Sequence, residues 1–133
     1  MYVKDIMTKK IFSVDCEKTI QFASSIYCDN KIGCLIVTEN NNIVGIVTER
    51  DFIERTICMD RDPKITKIKE IMSTNVKTID LNERIEKAIG ILKENKIKKL
   101  PVTANNSLVG ILTITDIAYS RPTIKEFFSS ING

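Results

Sequence analysis

The chain repeats itself, and that feature restricts the folds open to it more than any other. With Ile6-Met7 laid over Ile71-Met72, an offset of 65 residues, Val3–Arg55 aligns with Ile68–Ser120 without a gap. Roughly 20 of about 53 aligned pairs are identical. The matches sit at landmarks: Lys4-Asp-Ile-Met7 on Lys69-Glu-Ile-Met72, Asp15 on Asp80, Asn30-Lys-Ile32 on Asn95-Lys-Ile97, Val44-Gly-Ile46 on Val109-Gly-Ile111, and Asp51 on Asp116. A duplicated stretch of this size is one supersecondary unit used twice. The 133 residues suffice for one ordinary core or two small cores sharing cover.

Each copy has the same internal order. A short segment rich in β-branched residues comes first, Ile11–Val14 and Val76–Ile79, and predicts a strand. A helix follows, because Ile20, Ala23, Ile26 and Tyr27 recur at three- and four-residue spacing, as do Ile85, Ala88, Ile89 and Leu92. Asp80-Leu-Asn-Glu83 resembles a capping box at the start of the second of these. Two strands come next, Cys34–Thr38 with Ile43–Thr48 and Leu100–Thr103 with Leu108–Thr113. The polar Asn-rich turns Glu39–Asn42 and Ala104–Ser107 between them have hairpin length. A last helix starts near Glu49 or Ile114. The expected class is therefore α/β (α+β), with each repeat β-α-β-β-α. Near-continuous apolar runs such as Leu35-Ile-Val37 suggest strands buried on both faces. Two copies packed about a pseudo-twofold axis would share that cover. Repeat 1 spans residues 1–58, a linker containing Pro63 spans 59–67, repeat 2 spans 68–120 and a tail spans 121–133, with a short terminal helix expected over Thr123–Ser130.

Composition narrows the chemistry. There is no histidine, which excludes a Cys/His zinc site and imidazole catalysis. Cys16, Cys28, Cys34 and Cys58 form no C-x-x-C pair and are expected to be small buried hydrophobes, with redox sensing the alternative. The net charge of +3 is spread among interleaved acids, so no nucleic-acid-binding arm is indicated. No stretch approaches the ~18 apolar residues of a membrane helix. The start, Met1–Met7, lacks the charged-then-apolar pattern of a signal peptide, so a cytoplasmic location is expected.

The repeated element richest in chemistry is Gly45-Ile-Val-Thr48-Glu-Arg-Asp51 and its partner Gly110-Ile-Leu-Thr113-Ile-Thr-Asp116. A strand ends, a Thr follows, and an Asp stands three residues later where a helix begins. Thr at N-cap with an acid at N3 is a helix-start signature by itself. The same geometry also suits a ligand. The first helical turn offers unpaired N–H groups to a phosphate, and a carboxylate there can accept from both hydroxyls of a ribose. Gly45 and Gly110 would let a ligand or backbone approach closely. The two readings do not exclude each other.

The order of elements, with Val44–Asp51 and with Leu100-Pro-Val102 ahead of Gly110–Asp116, resembles the CBS (cystathionine-β-synthase) domain over about residues 1–120. Two in tandem look like a Bateman module. In that family such modules bind AMP, ADP, ATP or S-adenosylmethionine in clefts between repeats and often form homodimers. The resemblance implies that Thr48 and Asp51 contact phosphate and ribose in one cleft, and Thr113 and Asp116 in the other. It places Ile11, Phe12, Ser13, Ile32 and Gly33 beside the Asp116 cleft, and Val76, Lys77, Thr78 and Ile97 beside the Asp51 cleft. Basic residues entering the third element commonly meet phosphates in the family, so Lys98 and Lys99 suit the Asp116 cleft to a polyanion, unless they are merely solvated. Gly33-Cys34 offers no cation at the matching place, and Ile36 stands where repeat 2 has Pro101. A less anionic adenosyl ligand would suit the Asp51 cleft. Arg50 would add charge there, or equally point to solvent or pair with Glu49 or Glu54.

The function implied is a regulatory adenine-nucleotide or adenosyl-ligand module, not an enzyme and without a resident cofactor or metal. It would signal by repacking of its repeats or of a homodimer to an unidentified protein target, which requires differential affinity for two arrangements. RNA or DNA binding is one alternative, favoured slightly by Lys93, Lys96, Lys98 and Lys99, but aromatic residues are few and not interleaved with them. A purely structural dimerisation module is another.

Overall fold

The computed structural model describes residues 1–120. The expected terminal helix over Thr123–Ser130, with Pro122, lies outside the described residues. Helix α1 (Val3–Ile6) is followed by β1 (Ser13–Asp15), α2 (Ile20–Asn30), β2 (Cys34–Glu39), β3 (Asn42–Thr48) and α3 (Glu49–Phe52), which continues as a π-helical turn over Ile53–Ile57. After a 3₁₀ turn (Ile68–Glu70) the order recurs as β4 (Ile79–Asp80), α4 (Ile85–Asn95), β5 (Lys99–Ala104), β6 (Ser107–Thr113) and α5 (Ile114–Ser120). The class is mixed α and β, with two three-stranded sheets.

Compactness divides the chain at places other than the repeat boundaries. One unit is Ile11–Val76; the other joins Met1–Lys10 to the chain from Lys77 onward. The opening segment of each sequence repeat thus folds with the remainder of the other repeat. Val3 is fully buried among Ile79, Ala88, Leu100, Val102 and Leu112, and Ile68 and Ile71 are fully buried among Val14, Ala23, Leu35, Val37 and Val47. Burying a side chain of this size is worth about 1.5–3 kcal/mol. Backbone bonds tie the segments in as well. Thr8 and Ile111 exchange N–H···O bonds of 2.8 and 2.9 Å, and Ser73 and Ile46 do so at 3.0 Å each way.

Both sheets share one topology: first strand parallel to the second, second antiparallel to the third, orders β1-β2-β3 and β4-β5-β6. The hairpin turns are two residues long, with Asn40, Asn41, Asn105 and Asn106 all at φ between 51° and 67°. That is the positive-φ pair a type I′ turn demands, and asparagine tolerates it best among non-glycine residues. Leu35, Ile36 and Val37 are buried in succession, so β2 is covered on both faces.

Two expectations need correction. The first strands are shorter and lie later than Ile11–Val14 and Val76–Ile79, and they differ in length. Ile36 donates its N–H to the Phe12 carbonyl at 3.1 Å. Its counterpart Pro101 has no N–H to give, and β4 retains two residues where β1 has three. The proposed capping box Asp80–Glu83 does not cap α4, whose N-cap is Arg84. Asp80 instead accepts from Asn82 N–H at 2.8 Å, a local turn closed by the side chain, as Asp15 does from Glu17 N–H at 2.9 Å.

Candidate functional site

In each sheet the entries to the first two strands and the exit of the third lie at one end, because the first two strands are parallel and the third runs against them. In the unit of β1–β3 this end collects Ile11, Phe12 and Ser13, then Ile32, Gly33 and Cys34, then Thr48 to Asp51. In the other unit it collects Lys77 and Thr78, then Ile97, Lys98 and Lys99, then Thr113 to Asp116. Cys34 is registered opposite Thr48, and Lys99 opposite Thr113. Lys98 accepts Ile114 N–H at its carbonyl, 3.0 Å, which sets it against the first residue of α5. Ile11, Phe12, Ser13, Ile32 and Gly33, expected beside Asp116, belong to the unit of Asp51. Of the set expected beside Asp51, Val76 shares its unit, whereas Lys77, Thr78 and Ile97 belong to the unit of Asp116.

The T-x-x-D turns are helix caps. Around α5 the box is reciprocal: Asp116 N–H donates to Thr113 Oγ1 and Thr113 N–H to Asp116 Oδ2, each at 3.0 Å. Before α3, Asp51 Oδ2 accepts from Thr48 N–H at 2.9 Å and, more weakly, from Thr48 Oγ1 at 3.4 Å. Capping leaves one oxygen of each carboxylate for other partners, and here the units part. Asp116 Oδ1 accepts from the Thr8 hydroxyl at 3.0 Å. Asp51 Oδ1 lies 3.6 Å from Arg55 Nε, and the same guanidinium donates through Nη1 to the carbonyls of Ile71 and Met72 at 3.1 and 3.2 Å. Thr8 and Arg55 are site neighbours that the sequence reading missed. Nothing local links Thr8 to Asp116 across 108 positions, although the cap signature itself pointed to both aspartates.

Other expectations shift with the geometry. Arg50 pairs with Glu54 at 2.7 Å rather than supplying free charge. The room beside the two glycines is taken internally. A Cβ on Gly45 would collide with the Met72 side chain, and one on Gly110 would sit 2.9 Å from both Met7 Sδ and the Thr8 carbonyl oxygen. Lys98 is exposed and Lys99 half-buried. Of the cysteines only Cys16 is buried; Cys34 is half-buried, and Cys28 and Cys58 are exposed. Burial, with Glu39, Asp15 and Glu17 nearby, pushes the Cys16 thiol above its usual pKa. The π-helical turn after α3 buries Thr56, whose Oγ1 finds no hydrogen-bond partner among the described residues.

Each unit also carries an open groove beside these turns, and the lining positions match across the repeat except for Lys98, whose counterpart Gly33 does not line the other groove. In the unit of Asp116 it holds about 630 Å³ over Ile89, Leu92, Ile117 and Ala118, with Lys93, Lys96 and Lys98 among its lining residues. In the other, about 570 Å³ lies over Ser24, Tyr27, Phe52 and Ile53, with Lys31 and Glu49. Tyr27 donates to the Val47 carbonyl at 2.7 Å and meets Phe52 edge-on, with ring centroids 5.0 Å apart. No group of His, Cys, Asp and Glu among the described residues could hold a metal ion, and no described helix is long and apolar enough to cross a membrane.

A doubled strand–helix–hairpin unit closing on a capped T-x-x-D turn defines a class, and comparison with known proteins gives it a name. The CBS domain family model matches residues 3–57 and again 68–121, so the chain belongs to the CBS domain family. It is similar to the CBS domain-containing protein YhcV of Bacillus subtilis, 34% identical over 119 residues that cover 90% of this chain and 84% of that one. Among solved structures, a conserved protein from Pyrococcus horikoshii superposes with a TM-score of 0.80 at 28% identity, covering 90% of each chain. A hexameric CBS-CP12 protein from bloom-forming cyanobacteria shares the fold with a TM-score of 0.80 at 24% identity, over 94% of this chain and 73% of that one.

Proposed function

We propose that this CBS-domain pair is a regulatory module for adenosyl ligands (AMP, ADP, ATP or S-adenosylmethionine) that signals by ligand-dependent repacking of its repeats or of a dimer. The observation that carries the reading is the doubled carboxylate. Asp51 and Asp116 are each fixed by their own cap at the sheet end where Thr48 or Thr113 and the entries to two strands converge. A carboxylate held on one oxygen by backbone N–H keeps acceptor capacity on the other, which suits a vicinal diol. The cations around the two turns suit phosphate, and backbone groups of the strand entries suit the edge of a base. The chain is read as non-catalytic. Its output would pass to a second copy or to another protein target, and the half-open grooves with exposed Ile53 and Ile114 suit a second copy of the chain.

The test is thermal unfolding with AMP, ADP, ATP, S-adenosylmethionine and NAD, comparing the unaltered protein with Asp51→Ala and Asp116→Ala. A ligand at 100 times its Kd adds roughly 2.7 kcal/mol, a shift of about 10 °C for a chain of this length. A shift with an adenosyl ligand that shrinks in one or both variants supports the reading. No shift with any of the five reduces both turns to helix caps. Salt-sensitive RNA binding in its place would favour the nucleic-acid alternative.

A further inference from the structure

The two aspartates have cations on opposite sides. In the unit of Asp116 the positive charge stands at the strand entry, where Lys99 is registered opposite Thr113 and Lys98 abuts the start of α5, while the second carboxylate oxygen accepts from the neutral Thr8 hydroxyl. In the unit of Asp51 the strand entry is Gly33-Cys34 and carries no charge, and the positive charge stands instead on Arg55, one helical turn beyond the aspartate. Arg50, the other basic residue of that turn, is engaged by Glu54.

Arg55 is placed as a ligand contact would be. Its guanidinium is braced on the carbonyls of Ile71 and Met72, so its position is fixed by backbone rather than by a flexible partner. Its link to Asp51 is a long one at 3.6 Å, and half of the side chain (50%) stays open to solvent. The Asp51 side chain is 14% exposed, but at 3.6 Å the contact is too long for a hydrogen bond, and the half-exposed guanidinium can turn a donor to a phosphate without breaking its braces. The fork has five N–H donors, of which the braces use Nη1 and the aspartate Nε, and arginine's planar fork matches phosphate geometry. The matching position in the other repeat is Ser120, which offers no charge. Local backbone supports the difference: Arg55 lies within the π-helical turn Ile53–Ile57, whereas α5 stays α-helical from Ile114 to Ser120.

We infer that Arg55 is the phosphate-contacting and specificity-determining residue of the Asp51 site, replacing the lysines that serve the Asp116 site. The inference rests on the adenosyl-ligand reading above and revises one expectation drawn from Gly33-Cys34: this site also accepts an anionic ligand, with the anion drawn toward the helix instead of the strand entry.

The experiment is isothermal titration of the full chain with AMP and, separately, with adenosine, for the unaltered protein, Arg55→Gln and Arg55→Lys. Adenosine lacks the phosphate and so reports the rest of the site and its folding. The expected result is that Arg55→Gln weakens AMP at one of two sites by about tenfold or more while adenosine binds as before, and that Arg55→Lys restores part of the loss. AMP affinity unchanged in Arg55→Gln overturns the inference. So does equal weakening of AMP and adenosine, which would make Arg55 a brace for Ile71 and Met72 and nothing more. If the unaltered protein binds neither compound, the adenosyl reading itself fails and takes this inference with it.

Discussion

Repeat 1 and repeat 2 agree where the chain must fold and differ where it would meet a ligand. The core positions Val14 and Ile79, Ile20 and Ile85, Ala23 and Ala88, Leu35 and Leu100, Val37 and Val102, and Val47 and Leu112 are buried in both units. The Asn-Asn turns, the left-handed helix ends at Lys31 and Lys96, and the pairing of the crossing segments recur as well. Around the aspartates the agreement stops: Gly33 faces Lys98 in the alignment, Arg55 faces Ser120, Ile36 faces Pro101, and Tyr27 faces Leu92. After duplication, packing constrained the first set through both copies, whereas each site was left to acquire its own charges.

The largest effect should come from imposing one repeat's exception on the other. Ile36→Pro removes the N–H that bonds Phe12 and trims a fully buried side chain, so we expect a loss of about 2–4 kcal/mol in denaturant unfolding. Pro101→Ile, which restores a donor, should change stability by under about 1 kcal/mol. Equal losses in the two variants would mean that the missing bond does not explain the shorter β4.

A smaller contrast separates the two glycines. Gly110→Ala would press a methyl group on the Thr8 carbonyl as well as on Met7, and backbone cannot yield as a thioether can. At Gly45 the three atoms nearest an added Cβ all belong to the Met72 side chain. Both should destabilise by about 1–3 kcal/mol, with Gly110→Ala the more costly. The reverse order in thermal unfolding would show that the N-terminal segment is the looser of the two crossings.

The smallest effect belongs to pH. Glu17 receives Lys67 and Lys69 at 2.5 and 2.6 Å, and these hydrogen bonds, Lys67 foremost, hold its carboxyl down to about 2. A depressed folded-state pKa means that its stabilisation is complete above the ordinary value near 4.5 and fades as pH falls toward 2. Glu17→Gln should flatten that acid limb modestly, since the pair is exposed. An unchanged acid limb would assign the acid sensitivity to other carboxylates. Repeat 2 has Asn82 at this position, so only the unit of β1–β3 should respond.

The repeat made most of the fold legible. Apolar spacing located α2 and α4, short apolar runs bounded by polar turns located β2, β3, β5 and β6, and the Asn-rich segments marked both turns. Periodicity carries no record of pairings between distant segments, so the crossing of Val3 and Ile68 into opposite cores could not be read from it. The misplaced box at Asp80–Glu83 shows a related limit, since a carboxylate followed by a polar residue suits a local turn as well as a helix start. At the site, Thr48, Asp51, Thr113 and Asp116 were legible because a cap is a local motif. Thr8 and Arg55 were not, because each depends on a tertiary contact or on a π-helical turn that no spacing rule encodes.

The most direct test of the unequal-site account is amide chemical-shift mapping of the isotopically labelled chain titrated with AMP. The account predicts shifts concentrated at the two sheet ends, at Ile97–Lys99 with Thr113–Asp116 and at Ile32–Cys34 with Thr48–Arg55, the two sets following different titration curves. Shifts confined to the lysine-bearing groove around Lys93 and Lys96, or two sets that titrate identically, would contradict it.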